Sequence, residues 1–464
     1  MSGLVGERPA VSPPGGWSFP VPREWTLPNG IRVVCFDVPG ARLAAATVLL
    51  DAPLAREPRD REGVTTVLGA TLDEGTRART GEQFADEMAL HGADLGVSVG
   101  MSGIHVTLDV AAHNLRPAFE LLAEAVTGAT FPEAEVARHV QLRLAAIAQQ
   151  RSVPGVRASW ALDEYCFDPA SRHSRPEGGT AETVAGLTRD DVVGLAAQVL
   201  APGRATVVLA TDLTGIDVED LVDQVFGSWS RGSSGLASGS ADSSAPRPGA
   251  AEARARPSSI VVLDRPGSVQ SALAIGLAGP DRTDPQWPDL LVAAHALGGG
   301  LSSRLMADLR EGKGYTYGIH ARFSPFASGG RFTVSTAVDT AVTAPALSAI
   351  RTVVGGLRAG GLTEAERDDA VDYHLGASPL RFQTPRALVA QVSGLLADGL
   401  PADWLNVLRE RLRHVSADSA STAFAHTVPA DLTTVVVGDA SQVLGPLSEL
   451  DQGGLGDVQV VPAG

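Results

Sequence analysis

At 464 residues the chain is longer than one hydrophobic core organises, so two or more domains are expected. Its 37 Lys and Arg against 53 Asp and Glu leave a formal net charge of −16, which argues against a nucleic-acid or anionic-membrane surface and is compatible with cationic peptide partners. The two cysteines, Cys35 and Cys166, lie far apart without CxxC spacing, which excludes a disulfide framework and a thiolate metal site and makes a reducing compartment the default.

Residues 1–22 are rich in Pro and Gly and lack the basic and apolar stretches of a secretory signal, so they read as a disordered tail. No run approaches about 18 apolar residues, so no membrane span is expected and a cytoplasmic location is. A first domain is expected over 23–229. Ile31 to Val38 opens its sheet, and Ile104, Val106, Leu108 and Val110 alternate with His105, Thr107 and Asp109 as a strand with one buried face. Between them Thr80-Gly81-Glu82-Gln83 is a capping-box pattern ahead of Phe84 and Met88, one helical turn apart. Phe131-Pro132-Glu133-Ala134-Glu135 opens a long helical stretch, and Leu187-Thr188-Arg189-Asp190-Asp191 leads through a helix into the strand around Ala205 to Thr211.

Residues 230–257 are a Gly/Ser/Pro-rich stretch with almost nothing to bury, a flexible linker whose r.m.s. span is roughly 30 Å. Residues 258–464 repeat the first half. Leu362-Thr363-Glu364-Ala365-Glu366 answers the segment at 131–135, and Val415-Ser416-Ala417-Asp418 followed by the strand around Thr433 to Gly438 answers the segment at 187–212. The fold class expected is α+β: two homologous repeats, each a largely antiparallel sheet with helices packed on one side, joined by the linker.

Within the second half stands Gly298-Gly299-Gly300-Leu301-Ser302-Ser303-Arg304-Leu305, followed by Leu309-Arg310-Glu311-Gly312-Lys313-Gly314-Tyr315-Thr316-Tyr317. A flexible glycine run lets backbone come close to a bound chain, and Arg310 and Tyr317, seven residues apart, are donors suited to a polarised peptide carbonyl. Gly312-Lys313-Gly314 is not a phosphate loop, because the GxxxxGK[ST] order is absent. The ten histidines form no HxxEH, HExxH or HxH, and His91 and His105 read as a helix-end residue and a solvated strand residue.

The glycine string resembles the C-terminal half of the insulinase/pitrilysin (inverzincin) metallopeptidases, in particular their processing-peptidase-like subgroup, where a GGGxSSRL string precedes an Arg/Tyr pair. In that family the N-terminal half carries a zinc helix reading G-x-x-H-x-x-E-H-x-x-x-x-G-T. This chain offers Gly63-Val64-Thr65-Thr66-Val67-Leu68-Gly69-Ala70-Thr71-Leu72-Asp73-Glu74-Gly75-Thr76 in the same frame. On that mapping Thr66 stands at the first ligand, Gly69 at the general base and Ala70 at the second ligand. The third ligand, a glutamate on a later helix, maps to Ala146, or to Ala145 if the register slips by one. None of the four side chains can bind zinc, which takes imidazole, thiolate or carboxylate. The resemblance implies no metal in this chain and a substrate-binding role for Gly298, Gly299, Gly300, Arg310 and Tyr317, the last two holding the substrate carbonyl and developing oxyanion. Tyr315 is the rival to Tyr317. It further implies a heterodimer with an HxxEH-containing homologous subunit that supplies the zinc, the complex acting on peptides. The alternative is a catalytically dead structural or peptide-binding protein, like the core proteins of respiratory complexes that share the fold.

Overall fold

The computed structural model describes residues 16–230, 260–451 and 458–462. The linker expected at 230–257 lies outside these residues apart from Ser230. The first half contributes β1 (Arg23–Thr26), β2 (Arg32–Asp37), β3 (Leu43–Leu50), β4 (Asp94–Gly100), β5 (Gly103–Ala111) and β6 (Ala205–Thr211); the second contributes β7 (Ile260–Asp264), β8 (Gln270–Gly279), β9 (Ile319–Pro325), β10 (Gly330–Asp339), β11 (Thr433–Gly438) and β12 (Val458–Pro462).

These strands form two six-stranded sheets, ordered β1-β2-β6-β3-β5-β4 and β12-β7-β11-β8-β10-β9. Without the outermost strand of each, the two orders superimpose element for element, so the duplication visible in sequence is a duplication of topology. β2 and β6 run parallel, as do β7 and β11, while β3, β4 and β5 and their counterparts pair antiparallel. The repeats differ at the outer edge, where β1 is antiparallel to β2 and β12 is parallel to β7.

Local signals explain the elements. Thr80 accepts from Gln83 N–H while the Gln83 side chain accepts from Thr80 N–H, a complete capping box. Thr188, Thr363 and Ser416 start their helices in the same way. On β5, Ile104, Val106, Leu108 and Val110 are buried and His105, Thr107 and Asp109 half-buried, the alternation expected. The helix Leu115–Gly128 lays Ala118, Phe119, Leu122 and Val126 into the first core, and its counterpart Thr343–Gly360 lays Ala346, Leu347 and Ile350 into the second. The latter is long and apolar enough to cross a bilayer by composition, and half of it is buried in the protein.

Each half packs its own helices on one sheet face. The other face is covered by a helix from the opposite half. Pro154–Cys166 seats Ala158, Ala161 and Leu162 on Val261, Ala272, Ala274 and Val435, and Pro385–Ala397 seats Leu388, Val389 and Val392 on Val34, Phe36, Ala45 and Val208. This exchange accounts for the unbroken burial of Val33 to Phe36 and of Ile260 to Leu263, because a strand covered on both faces has no polar phase. Cys35 and Cys166 are free and buried, their thiols pushed up to about 12 chiefly by burial.

Trp17 and Phe19 correct the expected tail over residues 16–22; residues 1–15 of it lie outside the described residues. Phe19 is buried edge-on to Phe36 and Phe382 at 5.9 and 5.3 Å, and Trp17 stacks on Phe382 at 6.1 Å under the Arg409 guanidinium. Asn406 clamps the Phe19 backbone, accepting from its N–H at 2.8 Å and donating to its carbonyl at 3.0 Å. Two aromatics among Pro and Gly carry no periodicity, so nothing local marks this long-range anchor. Phe19→Ala is expected to cost about 3–5 kcal/mol of stability by urea denaturation, since a fully enclosed ring is removed from between the two halves.

Candidate functional site

The helix Val64–Ala70 begins at Gly63, whose φ of 102° and whose position, where a Cβ would lie 2.8 Å from the Gly178 carbonyl oxygen, both require glycine. A carboxylate six residues upstream of Gly63 caps it. Glu57 Oε1 accepts from the backbone N–H of Gly63 at 3.1 Å and of Thr65 at 2.9 Å, and Arg172 pairs with Glu57 Oε2 at 3.2 Å. Burial raises the Glu57 carboxyl despite these donors.

One turn apart on this helix, half-buried Thr66 and Ala70 line a cavity of 470 Å³. Gly69 faces β4, where a Cβ would meet Val97 and Val99 methyls at 3.1 Å each. The space a glutamate side chain would leave by is filled. Ala146 is half-buried and Ala145 exposed on the helix Glu133–Ser152, which turns Arg143 and Gln150 into the cavity instead. Thr66, Gly69, Ala70 and Ala146 offer no imidazole, thiolate or carboxylate, so the residues present do not fit a zinc ion. No cluster of three or more His, Cys, Asp or Glu suited to a metal occurs among the described residues.

In the second half the glycine run is not a flexible loop, which corrects the expectation. The helix Trp287–Ala294 continues into a π-helical turn, His295–Gly299, and Gly298 lies against β9, where a Cβ would be 2.5 Å from Ala321 N. Gly299 is exposed and Gly300 half-buried, both beside the His295 ring. Ser303 Oγ donates to the Gly300 carbonyl at 2.6 Å. Arg304 holds the following turn in place, donating to both Glu366 carboxylate oxygens at 2.5 and 2.7 Å and to the Gly361 carbonyl at 2.7 Å.

That Arg304 contact draws the Glu366 carboxyl down to about 2. A depressed folded value contributes stability above the ordinary 4.5, and this contribution is lost as pH falls from there towards 2. Arg304→Ala is expected to cost about 1–2 kcal/mol at neutral pH, reduced by the partial exposure of the pair, and to flatten the acid limb of a stability–pH profile measured by urea denaturation.

Past this anchor the structure brings Arg310 and Tyr317 together. The Arg310 guanidinium lies 5.4 Å from the Tyr317 ring centroid, the Tyr317 side chain is 92 % exposed, and Arg310 also pairs with Glu311 at 3.4 Å. Thr316 fixes the loop between them, its single O–H lying within donating distance of both the Gly318 and Ala337 carbonyls at 2.9 and 2.8 Å. Tyr315 instead packs against the second core. The pair does not line the Thr66 cavity. Tyr317 precedes the first residue of β9, whereas Phe326, which does line it, follows the last, and a seven-residue strand spans roughly 23 Å.

Sequence reasoning missed two groupings. His295 stacks on Tyr373 at 4.3 Å and lies 5.3 Å from His374, whose ring burial pushes down to about 4. Around the cavity, Asp163 from the helix Pro154–Cys166 pairs with Arg331 of β10, and His173 stacks on Phe326 at 4.7 Å. One signal was available: the repeat register that aligns Glu133 with Glu364 aligns Arg143 with His374, which pointed to both helices as bearing inward polar groups.

Comparison with known proteins agrees with this architecture. The family profile described as insulinase (peptidase family M16) matches residues 32–164, and the one described as peptidase M16 inactive domain matches residues 186–373. The chain belongs to the M16 family. Among M16 relatives, it is 26% identical over 370 residues to an uncharacterized zinc protease of Streptomyces coelicolor, covering 80% of this chain and 79% of that protein. It is 24% identical over 389 residues to the non-peptidase homolog YmxG of Helicobacter pylori, covering 82% and 85%. A crystal structure of a peptidase M16 inactive domain from Pseudomonas fluorescens shares the fold with a TM-score of 0.79 at 23% identity, over 90% of this chain and 98% of that one. Within this M16 frame, Thr66, Gly69, Ala70 and Ala146 supply no zinc-binding side chain at the mapped positions.

Proposed function

We propose that this M16 protein is the non-catalytic, substrate-binding subunit of a heterodimeric zinc endopeptidase, supplying Arg310 and Tyr317 to a site whose zinc and general base lie on an HxxEH-containing partner. The observation that carries the reading is the pair itself: an arginine stacked on a tyrosine that is 92 % exposed, at the far end of β9 from the chain's own degenerate motif. A scaffold has no use for a fully exposed tyrosine held under a guanidinium. A peptide carbonyl in a neighbouring site has, because preorganised donors stabilise its developing negative charge by about 3–4 kcal/mol each. Of the glycine run, Gly298 is buried against β9, while exposed Gly299 and half-buried Gly300 are left to present backbone to the substrate chain, and the net charge of −16 suits cationic peptides in the cytoplasm.

Co-expression with an HxxEH-containing homologue of similar length tests the assembly. A 1:1 complex stable through gel filtration is the expected result; a chain that remains alone or forms only homodimers supports the structural or peptide-binding alternative.

A further inference from the structure

The cavity left at the degenerate zinc motif is not inert space. Its walls come from both halves: Thr66 and Ala70, Arg143 and Gln150, Trp160 and Asp163 from the first, Phe326 and Arg331 from the second. At 470 Å³ it has the size of a small-ligand site. We propose that it binds the carboxylate of a peptide or peptide-like acid, with Arg143 as the counter-ion.

Among the described residues Arg143 is a cation without an anion. Its Nε donates to the Gly178 carbonyl at 2.8 Å and its Nη1 to Gln150 Oε1 at 3.3 Å, both neutral acceptors. The guanidinium lies so close to Gly178 that a Cβ there would be 2.4 Å from Nη2, which fixes its position. Burial lowers it from its ordinary value, and no neighbouring carboxylate offsets that. The other guanidinium groups lining the cavity are paired. Asp163 pairs with Arg331, Arg175 pairs with Glu62 at 2.8 Å, and His173 is pushed down to about 4 by burial and is neutral. Glu177, raised by burial, feels Arg172 and Arg331 rather than Arg143. A partly desolvated charge left unpaired is costly, and a ligand carboxylate removes that cost through charge-assisted hydrogen bonds.

The remaining wall selects the body that carries the carboxylate. Val97, Val99, Met101, Trp160 and Phe326 are apolar or aromatic, which favours an organic acid with an apolar or peptide body over inorganic phosphate. Arg143 thus places a cation in the cavity that Thr66 and Ala70 line, which calls for an anion brought in from outside. Binding here is independent of the Arg310–Tyr317 pair and does not require an HxxEH partner.

Titration calorimetry and thermal melting of the purified chain with N-acetyl-Leu-Phe, its C-terminal carboxamide and inorganic phosphate test this. The free acid is expected to bind and raise Tm, the amide and phosphate to do neither. Arg143→Gln, checked for folding by circular dichroism, is expected to weaken the acid by about 30-fold or more. Because that variant also loses the Gly178 contact, a crystal structure of the wild-type chain with the acid provides the second reading, with a carboxylate oxygen against Arg143 Nη expected. Equal binding of acid and amide, phosphate binding as tight as the acid, an unchanged affinity in folded Arg143→Gln, or the acid seated elsewhere would each overturn the proposal.

Discussion

Arg310→Ala or Tyr317→Phe, assayed in complex with an HxxEH-containing partner, is expected to lower kcat/KM for peptide cleavage by roughly 10²–10³ while the complex and its zinc content stay unchanged. Each substitution removes one donor to the scissile carbonyl. Neither touches a core: Tyr317 is 92 % exposed, and the only ion pair of Arg310 among the described residues is with its neighbour Glu311. Tyr315→Phe serves as the control. Tyr315 packs against the second core, and its backbone N–H is already committed to the Leu309 carbonyl at 2.9 Å, so its hydroxyl removal should change kcat/KM by less than a few-fold. Steady-state kinetics with the dimer verified by gel filtration distinguishes the two tyrosines, and near wild-type rates in both Arg310→Ala and Tyr317→Phe would return the chain to the structural alternative.

The reverse experiment, rebuilding the metal site, is expected to fail for a reason specific to this fold. Combining Thr66→His, Gly69→Glu, Ala70→His and Ala146→Glu supplies every missing group, yet Gly69 sits where a Cβ already meets Val97 and Val99 at 3.1 Å. A glutamate there forces β4 outward, an overpacking cost of about 1–3 kcal/mol. Arg143, three residues before Ala146 on the same helix and in the cavity, would place a guanidinium against the incoming cation. The expected variant melts at lower temperature, takes up zinc weakly and turns over no peptide. Elemental analysis and thermal melting would refute this if the variant held one zinc per chain with the stability of the parent and chelator-sensitive cleavage.

The elements that were legible in sequence are those whose causes are local. The Thr80 capping box, the alternation of β5 and the paired openings at Glu133 and Glu364 each follow from a few adjacent side chains, and together they imply the duplicated α+β fold. The helices Pro154–Cys166 and Pro385–Ala397 were not legible as exchanged between halves, because an apolar helix face looks the same whether it covers its own sheet or another. The same holds for Phe19, buried against Phe382 and clamped by Asn406, both more than 360 positions away. At the site, the loss of the zinc-binding residue types was readable from Thr66, Gly69, Ala70 and Ala146 alone, and so was the spacing of Arg310 and Tyr317. What the spacing could not reveal is that the glycine run is packed against Ala321, or that Arg143 stands in the vacated cavity, since both depend on three-dimensional approach.

Zinc content and peptide turnover, measured on the purified chain alone and again after mixing with an HxxEH-containing homologue, test the shared-site account most directly. The chain alone is expected to hold no stoichiometric zinc and to cleave nothing. The mixture is expected to hold one zinc per heterodimer and to cleave peptides in a chelator-sensitive manner at a rate above that of the partner alone. One zinc per chain surviving dialysis, with chelator-sensitive proteolysis by the isolated chain, would contradict it.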